Sequence, residues 1–197
     1  PSTTTLSLID KIANSKVFVN YFDMPLQHIS QNMLKIMKRG KGAEKLIELM
    51  NYMKSKPNSF VRTTYIAGHP GESEDDFEEL CSFVEEFGFD RGNVFSYSDE
   101  EGTSAETRDD KIEQELIDER AEILGDIISQ TTIKSLENDI GKSFEVYIDG
   151  ESEEHEYLLS ARKTIWAPQI DGEIYINDND HLRRADRTRW PRRGTAR

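Results

Sequence analysis

With 197 residues, one cysteine and a net charge of −13, the chain is long enough for one or two cores, and an internal disulfide framework is excluded. Apolar residues make up 36% and charged residues 32%, and no apolar run reaches the roughly 20 residues that span a bilayer. The opening residues Pro1 to Thr5 form no secretory pattern, so a reducing, cytoplasmic setting without a membrane partner is expected.

In chain order, residues 1–137 alternate helix and strand. A short helix is predicted over 6–14, then a β-branched and aromatic strand over 17–24 closed by Pro25. Ser30 caps a helix carrying Met33, Leu34, Ile36 and Met37, which stops near Gly40. Leu46, Ile47, Leu49, Met50 and Met53 follow at helical spacing until Pro57. These methionines read as core rather than as a cofactor box. A strand over 61–67 runs into Gly68-His69-Pro70-Gly71-Glu72, after which Ser73 and Asp76 form a capping pattern. The helix behind it buries Phe77, Leu80, Cys81, Val84 and Phe87. A third strand, 93–98, leads through an acidic loop to a long helix over 112–138. Repeated strand–helix units imply parallel strands with crossover helices. A full eight-unit barrel needs about 250 residues, so this part is an open α/β sheet or part of a barrel.

Beyond Gly141 the apolar period changes to two: Phe144, Val146 and Ile148 alternate with Ser143, Glu145 and Tyr147. Turns are predicted at Asp149-Gly150 and Asp171-Gly172, and strands over 157–164 and 173–176. This predicts a small β module over 138–180. The stretch 181–197 holds seven arginines and one acid, leaving −19 on residues 1–180. It is expected to be a disordered or non-native basic tail.

Ligands of parallel α/β folds sit at the strand ends, where loops are free of packing duties. Three stretches fall there. Gln27-His28 has the polarity to bind a cofactor and equally suits loop capping. Gly68 to Glu72 lets backbone approach a ligand, yet any tight strand–helix turn favours glycine and proline; it lacks the lysine and spacing of a phosphate loop. The acidic stretch 96–103 lacks calcium-loop spacing and reads as a solvated loop. His28, His69, His155 and His181 are too scattered for zinc, and no metal site or nucleophile set emerges.

Together, the Tyr21-Phe22-Asp23-Met24-Pro25-Leu26-Gln27-His28-Ile29-Ser30 run, 33–39, 62–72, 95–103 and Ala167-Pro168-Gln169-Ile170-Asp171-Gly172 resemble the radical S-adenosylmethionine (SAM) methylthiotransferases. Pro25-Leu26-Gln27-His28 resembles the branch that modifies an aspartate of a ribosomal protein. The resemblance implies a partial (β/α) TIM-type barrel over 1–137. It implies an incomplete OB-like TRAM barrel after it. The activity implied is addition of a methylthio group to the β-carbon of an aspartate in a small-subunit ribosomal protein. Rival expectations are tRNA methylthiolation on the same fold and a non-catalytic protein-binding fragment.

S-adenosylmethionine and two 4Fe-4S clusters are the implied cofactors. By position Gln27, His28, Arg39, Gly68, Gly71, Glu72 and Tyr97 are the implied cofactor-binding residues. The family's three-cysteine loop does not occur in the chain, so the chain alone is expected to be an inactive carboxy-terminal fragment. His69 stands where the family more often has Phe, and Lys163 follows Arg162 where it favours Ser. Asp149, Glu151, Glu153, Glu154 and Glu156 crowd one turn, which suits a basic ribosomal protein and not RNA.

Overall fold

The computed structural model describes residues 3–40, 42–155, 157–177 and 192–196, the last five by backbone alone. The chain divides into two compact units, Pro1–Leu136 and Glu137–Arg197.

The first unit runs α1 (Leu6–Ala13), β1 (Tyr21–Asp23), α2 (Gln31–Ile36), α3 (Ala43–Lys54), β2 (Phe60–Ala67), α4 (Glu74–Phe87), β3 (Arg91–Ser96) and α5 (Gln114–Glu137). Its strands are parallel in the order β1-β2-β3, with Tyr21 opposite Phe60 and Arg62 opposite Arg91. Every strand therefore ends at the same edge, and the three following loops leave side by side. Leu46, Leu49 and Met50 of α3, Leu80 and Val84 of α4, Leu124 of α5 and Val61 and Tyr65 of β2 close the core. A side chain of this size contributes about 2 kcal/mol when fully buried. Met33, Met50 and Met53 are buried, and Cys81 is half-buried in the α4 stripe, where burial pushes its thiol up to about 11.

Helix ends follow local chemistry. Ser73 and Asp76 form a reciprocal capping box, and Gly88 ends α4 in the left-handed region. At the end of α2 the Lys38 amide bonds the Lys35 carbonyl and the Arg39 amide the Leu34 carbonyl. Lys38, at φ 55°, thus occupies a left-handed cap position usually given to glycine.

The first strand is shorter than its residues predict. Val17, Phe18 and Val19 have strand-forming side chains but are exposed and lie outside β1. Their partner strand begins only at Phe60, and the Ser15 hydroxyl accepts from the amides of Val17 and Phe18 in a local turn. The third strand is likewise shifted, to Arg91–Ser96.

The second unit is an antiparallel sheet of β4 (Phe144–Glu151), β5 (Leu159–Lys163), β6 (Ile174–Ile176) and β7 (Arg192–Ala196), ordered β6-β5-β4-β7. The period of two brings Val146, Ile148, Leu159 and Ala161 to one buried face. Asp149-Gly150 is not the turn: it lies within β4, where the register with β5 shifts in a bulge. The reversal comes later, with Ser152 bonded to Leu158 and Leu158 to His155. The expectation for 181–197 is a disordered or non-native tail; within it Arg192–Ala196 pairs along β4, whose edge would otherwise expose unpaired amides and carbonyls. The rest of that tail, 181–191 and 197, lies outside the described residues. No helix among the described residues is long and apolar enough to cross a membrane.

Candidate functional site

The loops after β1, β2 and β3 meet at one cavity of about 380 Å³. The first supplies Gln27, the second His69 and the third Tyr97 and Ser98, while Ile36 and Met37 add an apolar wall. Glu100 and Thr103 of the acidic stretch also reach it.

The first loop turns at Pro25 over a buried threonine. The Thr63 hydroxyl donates to the Met24 carbonyl at 3.1 Å and accepts from the Leu26 amide at 3.3 Å. Gln27 then takes a left-handed conformation, φ 68°, that costs a non-glycine residue on the order of 1 kcal/mol. Its backbone is tied to β2 on both sides, donating to Thr64 at 2.8 Å and accepting from Ile66 at 2.9 Å. These bonds offset the strain and set the Gln27 side chain at the cavity.

The glycines of the second loop serve the protein's own packing. A Cβ on Gly68, at φ +79°, would fall 2.6 Å from Ile117 of α5. One on Gly71, at φ +86°, would meet Arg108 at 2.8 Å and Asp110 at 2.9 Å.

Behind the cavity lies an ionic frame. The His28 Nδ1 accepts the amides of Ile29 and Ser30, both at 3.0 Å, so the ring proton sits on Nε2 and is donated to Glu72 Oε1 at 3.1 Å. Glu72 Oε2 accepts the Gly68 amide at 2.9 Å and Arg120 Nη1 at 2.8 Å. Arg120 also donates to the Glu72 carbonyl at 3.0 Å and to Glu74 at 2.8 Å. The side chains of His28 and Glu72 have no exposed surface. A lone buried carboxylate would be too costly to keep ionised, but here one cation and two further donors meet it. The frame joins the first loop, the second loop and α5.

A second buried carboxylate joins α2 to α4. Asp76 accepts from Ser73 at 2.7 Å, from Asn32 at 2.9 Å and from the Ser30 hydroxyl that also caps α2. Burial works against its charge, and the hydrogen bonds from Ser30, Ser73 and Asn32 outweigh it, holding the carboxyl at about 2.

In the third loop the Tyr97 amide bonds the Ala67 carbonyl at 2.9 Å, and its hydroxyl donates to Asp99 at 2.8 Å. Burial, then the Asp99 carboxylate, push the phenol up to about 12. Lys111 pairs with the same Asp99, and the Tyr97 ring meets His69 edge-on with centroids 5.0 Å apart.

Of the seven residues implied by position, Gln27 and Tyr97 line the cavity. His28, Glu72 and the Gly68 amide form the frame behind it, and Gly71 packs against Arg108 and Asp110. Arg39 is half-buried, which lowers its pKa, and is not among the lining residues. Arg120 went unpredicted. Its signal was a charged residue at the buried spacing of Ile117, Leu124 and Ile128, a position that demands a buried partner. Among the described residues no group of three or more His, Cys, Asp or Glu is placed to hold a metal ion.

The second unit carries a separate groove of about 630 Å³, lined by Asp149, Glu151, Glu153, Glu154 and Glu173, with Arg162 paired to Asp149 at 3.1 Å.

Residues 1–84 match the Radical SAM superfamily and residues 140–189 the TRAM domain. The chain is 84% identical over 180 residues to the ribosomal protein uS12 methylthiotransferase RimO of Aliarcobacter butzleri (strain RM4018), covering 91% of this chain and 40% of that protein. Over nearly its whole length the chain is thus similar to the radical SAM methylthiotransferases. RimO of Sulfurovum sp. (strain NBC37-1) is 62% identical over 182 residues, 92% of this chain and 41% of the relative. The chain thus spans about 40% of the length of these curated relatives. Among solved structures, the radical SAM enzyme coproporphyrinogen III oxidase of Escherichia coli aligns over 66% of this chain and 30% of its own, with TM-score 0.56 and 19% identity. The parallel unit is therefore part of a radical SAM barrel, and a TRAM domain follows it.

Within that family the implied groups differ in how they suit these residues. The cavity falls in the size range of small-ligand sites and mixes polar and apolar walls, so a nucleoside-sized cofactor fits. An iron–sulfur cluster does not fit: it needs several thiolates, and the one cysteine sits in a helix stripe with its thiol pushed up to about 11.

Proposed function

We propose that this chain is the cofactor-facing part of the barrel and the substrate-docking unit of a methylthiotransferase that modifies an aspartate β-carbon in a small-subunit ribosomal protein. The observation that carries the reading is the convergence of three strand-end loops on one cavity, in a chain 84% identical to a protein named ribosomal protein uS12 methylthiotransferase. S-adenosylmethionine occupies this cavity in the proposal, with Gln27 and Tyr97 beside it and His28, Glu72 and Arg120 keeping the loops in register. Bound there, it supplies the radical chemistry that an unactivated carbon requires and that no side chain of this chain provides.

The two 4Fe-4S clusters belong, on this reading, to parts of the protein outside this chain, and the chain alone does not turn over substrate. The acidic groove of the second unit is the reason to assign a protein substrate. Five carboxylates beside one arginine repel phosphate backbones and attract a basic protein, which supports a ribosomal protein as the substrate, with the cytoplasm as the proposed setting. The test incubates the reconstituted full-length protein with S-adenosylmethionine, a sulfur source and either the isolated ribosomal protein or tRNA. The expected result is a methylthio mass gain on one aspartate of the ribosomal protein and none on tRNA. The reverse pattern overturns the assignment.

A further inference from the structure

His69 brings to the cavity a ring edge that the frame does not account for. Its side chain lines the cavity and the residue is 9% exposed. Nδ1 lies 2.9 Å from the Pro70 carbonyl and must donate to it, because a carbonyl only accepts. The ring proton therefore sits on Nδ1, and Nε2 keeps its lone pair. No described residue bonds Nε2, and it is not among the buried side-chain atoms cut off from solvent without a partner. Nε2 thus keeps accessible surface on a residue that is otherwise buried and lines the hollow. The Tyr97 ring, 5.0 Å away at 66°, fixes the imidazole plane, and the two left-handed glycines flanking His69 and Pro70 fix the backbone under it. Burial lowers the ring's pKa, which keeps the acceptor form at neutral pH.

We propose that His69 is a specificity-determining residue of this cavity, whose Nε2 accepts a hydrogen bond from an N–H or O–H group of the bound nucleoside. This rests on the reading of the cavity as the S-adenosylmethionine site. A cavity wall that offers an acceptor and no donor at this point selects ligands carrying a donor there. The adenosyl group has two kinds of donor, the exocyclic amine of the base and the ribose hydroxyls.

The experiment is calorimetric titration of the full-length protein with S-adenosylhomocysteine and with S-inosylhomocysteine, which lacks the exocyclic amine. It is run on the parent, on His69→Phe, which keeps a ring against Tyr97 without the acceptor, and on His69→Gln, which keeps an acceptor. The expected result is about tenfold weaker binding of S-adenosylhomocysteine in His69→Phe and recovery to within about threefold of the parent in His69→Gln. A loss confined to the adenosyl ligand puts the bond on the amine, and a loss shared by both ligands puts it on the ribose; either supports the proposal. Equal losses in both variants are a packing effect and overturn it. Unchanged binding in His69→Phe overturns it alone, leaving the cavity's assignment intact. No binding by the parent overturns both.

Discussion

The two units use carboxylates in opposite ways. In the parallel unit Glu72 and Asp76 are buried and saturated with donors, and each ties together elements far apart in sequence. In the antiparallel unit the acidic side chains line an open groove and one of them, Asp149, meets a single arginine near the surface. A buried charge organises structure because it must be answered on every side, whereas an exposed one is screened by water and shapes the field that a partner meets. The cavity sits with the first kind and the proposed docking groove with the second.

Breaking the buried frame has the largest expected effect. Arg120→Met removes the cation facing Glu72 and leaves a carboxylate without countercharge in the interior. The expected loss is about 3–5 kcal/mol in urea denaturation, with weaker cofactor binding because both loops lose their brace. A loss below about 1 kcal/mol would show that Arg120 is not what holds the frame together.

Asp76→Asn is the intermediate case, and pH sharpens it. The folded carboxyl, at about 2, lies below its ordinary 3.8, so its contribution is fully present above the unfolded value and is lost as pH falls through the folded one. The variant is expected to lose about 2 kcal/mol at pH 7. The gap to the parent should shrink from near pH 5 downward and be nearly gone by pH 2. A gap independent of pH would assign the effect to packing at the ends of α2 and α4.

The smallest effect belongs to the second unit. Asp149→Asn breaks a partly exposed pair with Arg162 and is expected to cost less than about 1 kcal/mol, decreasing with salt. A cost comparable to that of Arg120→Met would erase the contrast between the units.

Much of this architecture was legible from residue order. Ser30, the Ser73–Asp76 box and the helical spacing of Leu46, Leu49, Met50 and Met53 mark the helices, because capping and amphipathic period are local properties. The glycine-proline turn after the second strand, and the change to a period of two after Gly141, located the candidate loops and the second unit for the same reason. Strand limits were less legible. Val17 to Val19 have the right propensity and no partner, and Asp149-Gly150 looks like a turn but is absorbed as a bulge, since pairing depends on the neighbouring strand.

What the amino-acid order determined by itself, then, was the alternation of elements and the end of the sheet at which the candidate loops meet. The tertiary structure alone decided which residues face the cavity and which stand behind it. His28 and Gln27 are neighbours in the chain, yet one lies buried against Glu72 and the other at the cavity. That choice rests on Arg120, 48 residues from Glu72, whose charge had to be buried against a partner that only folding brings within reach.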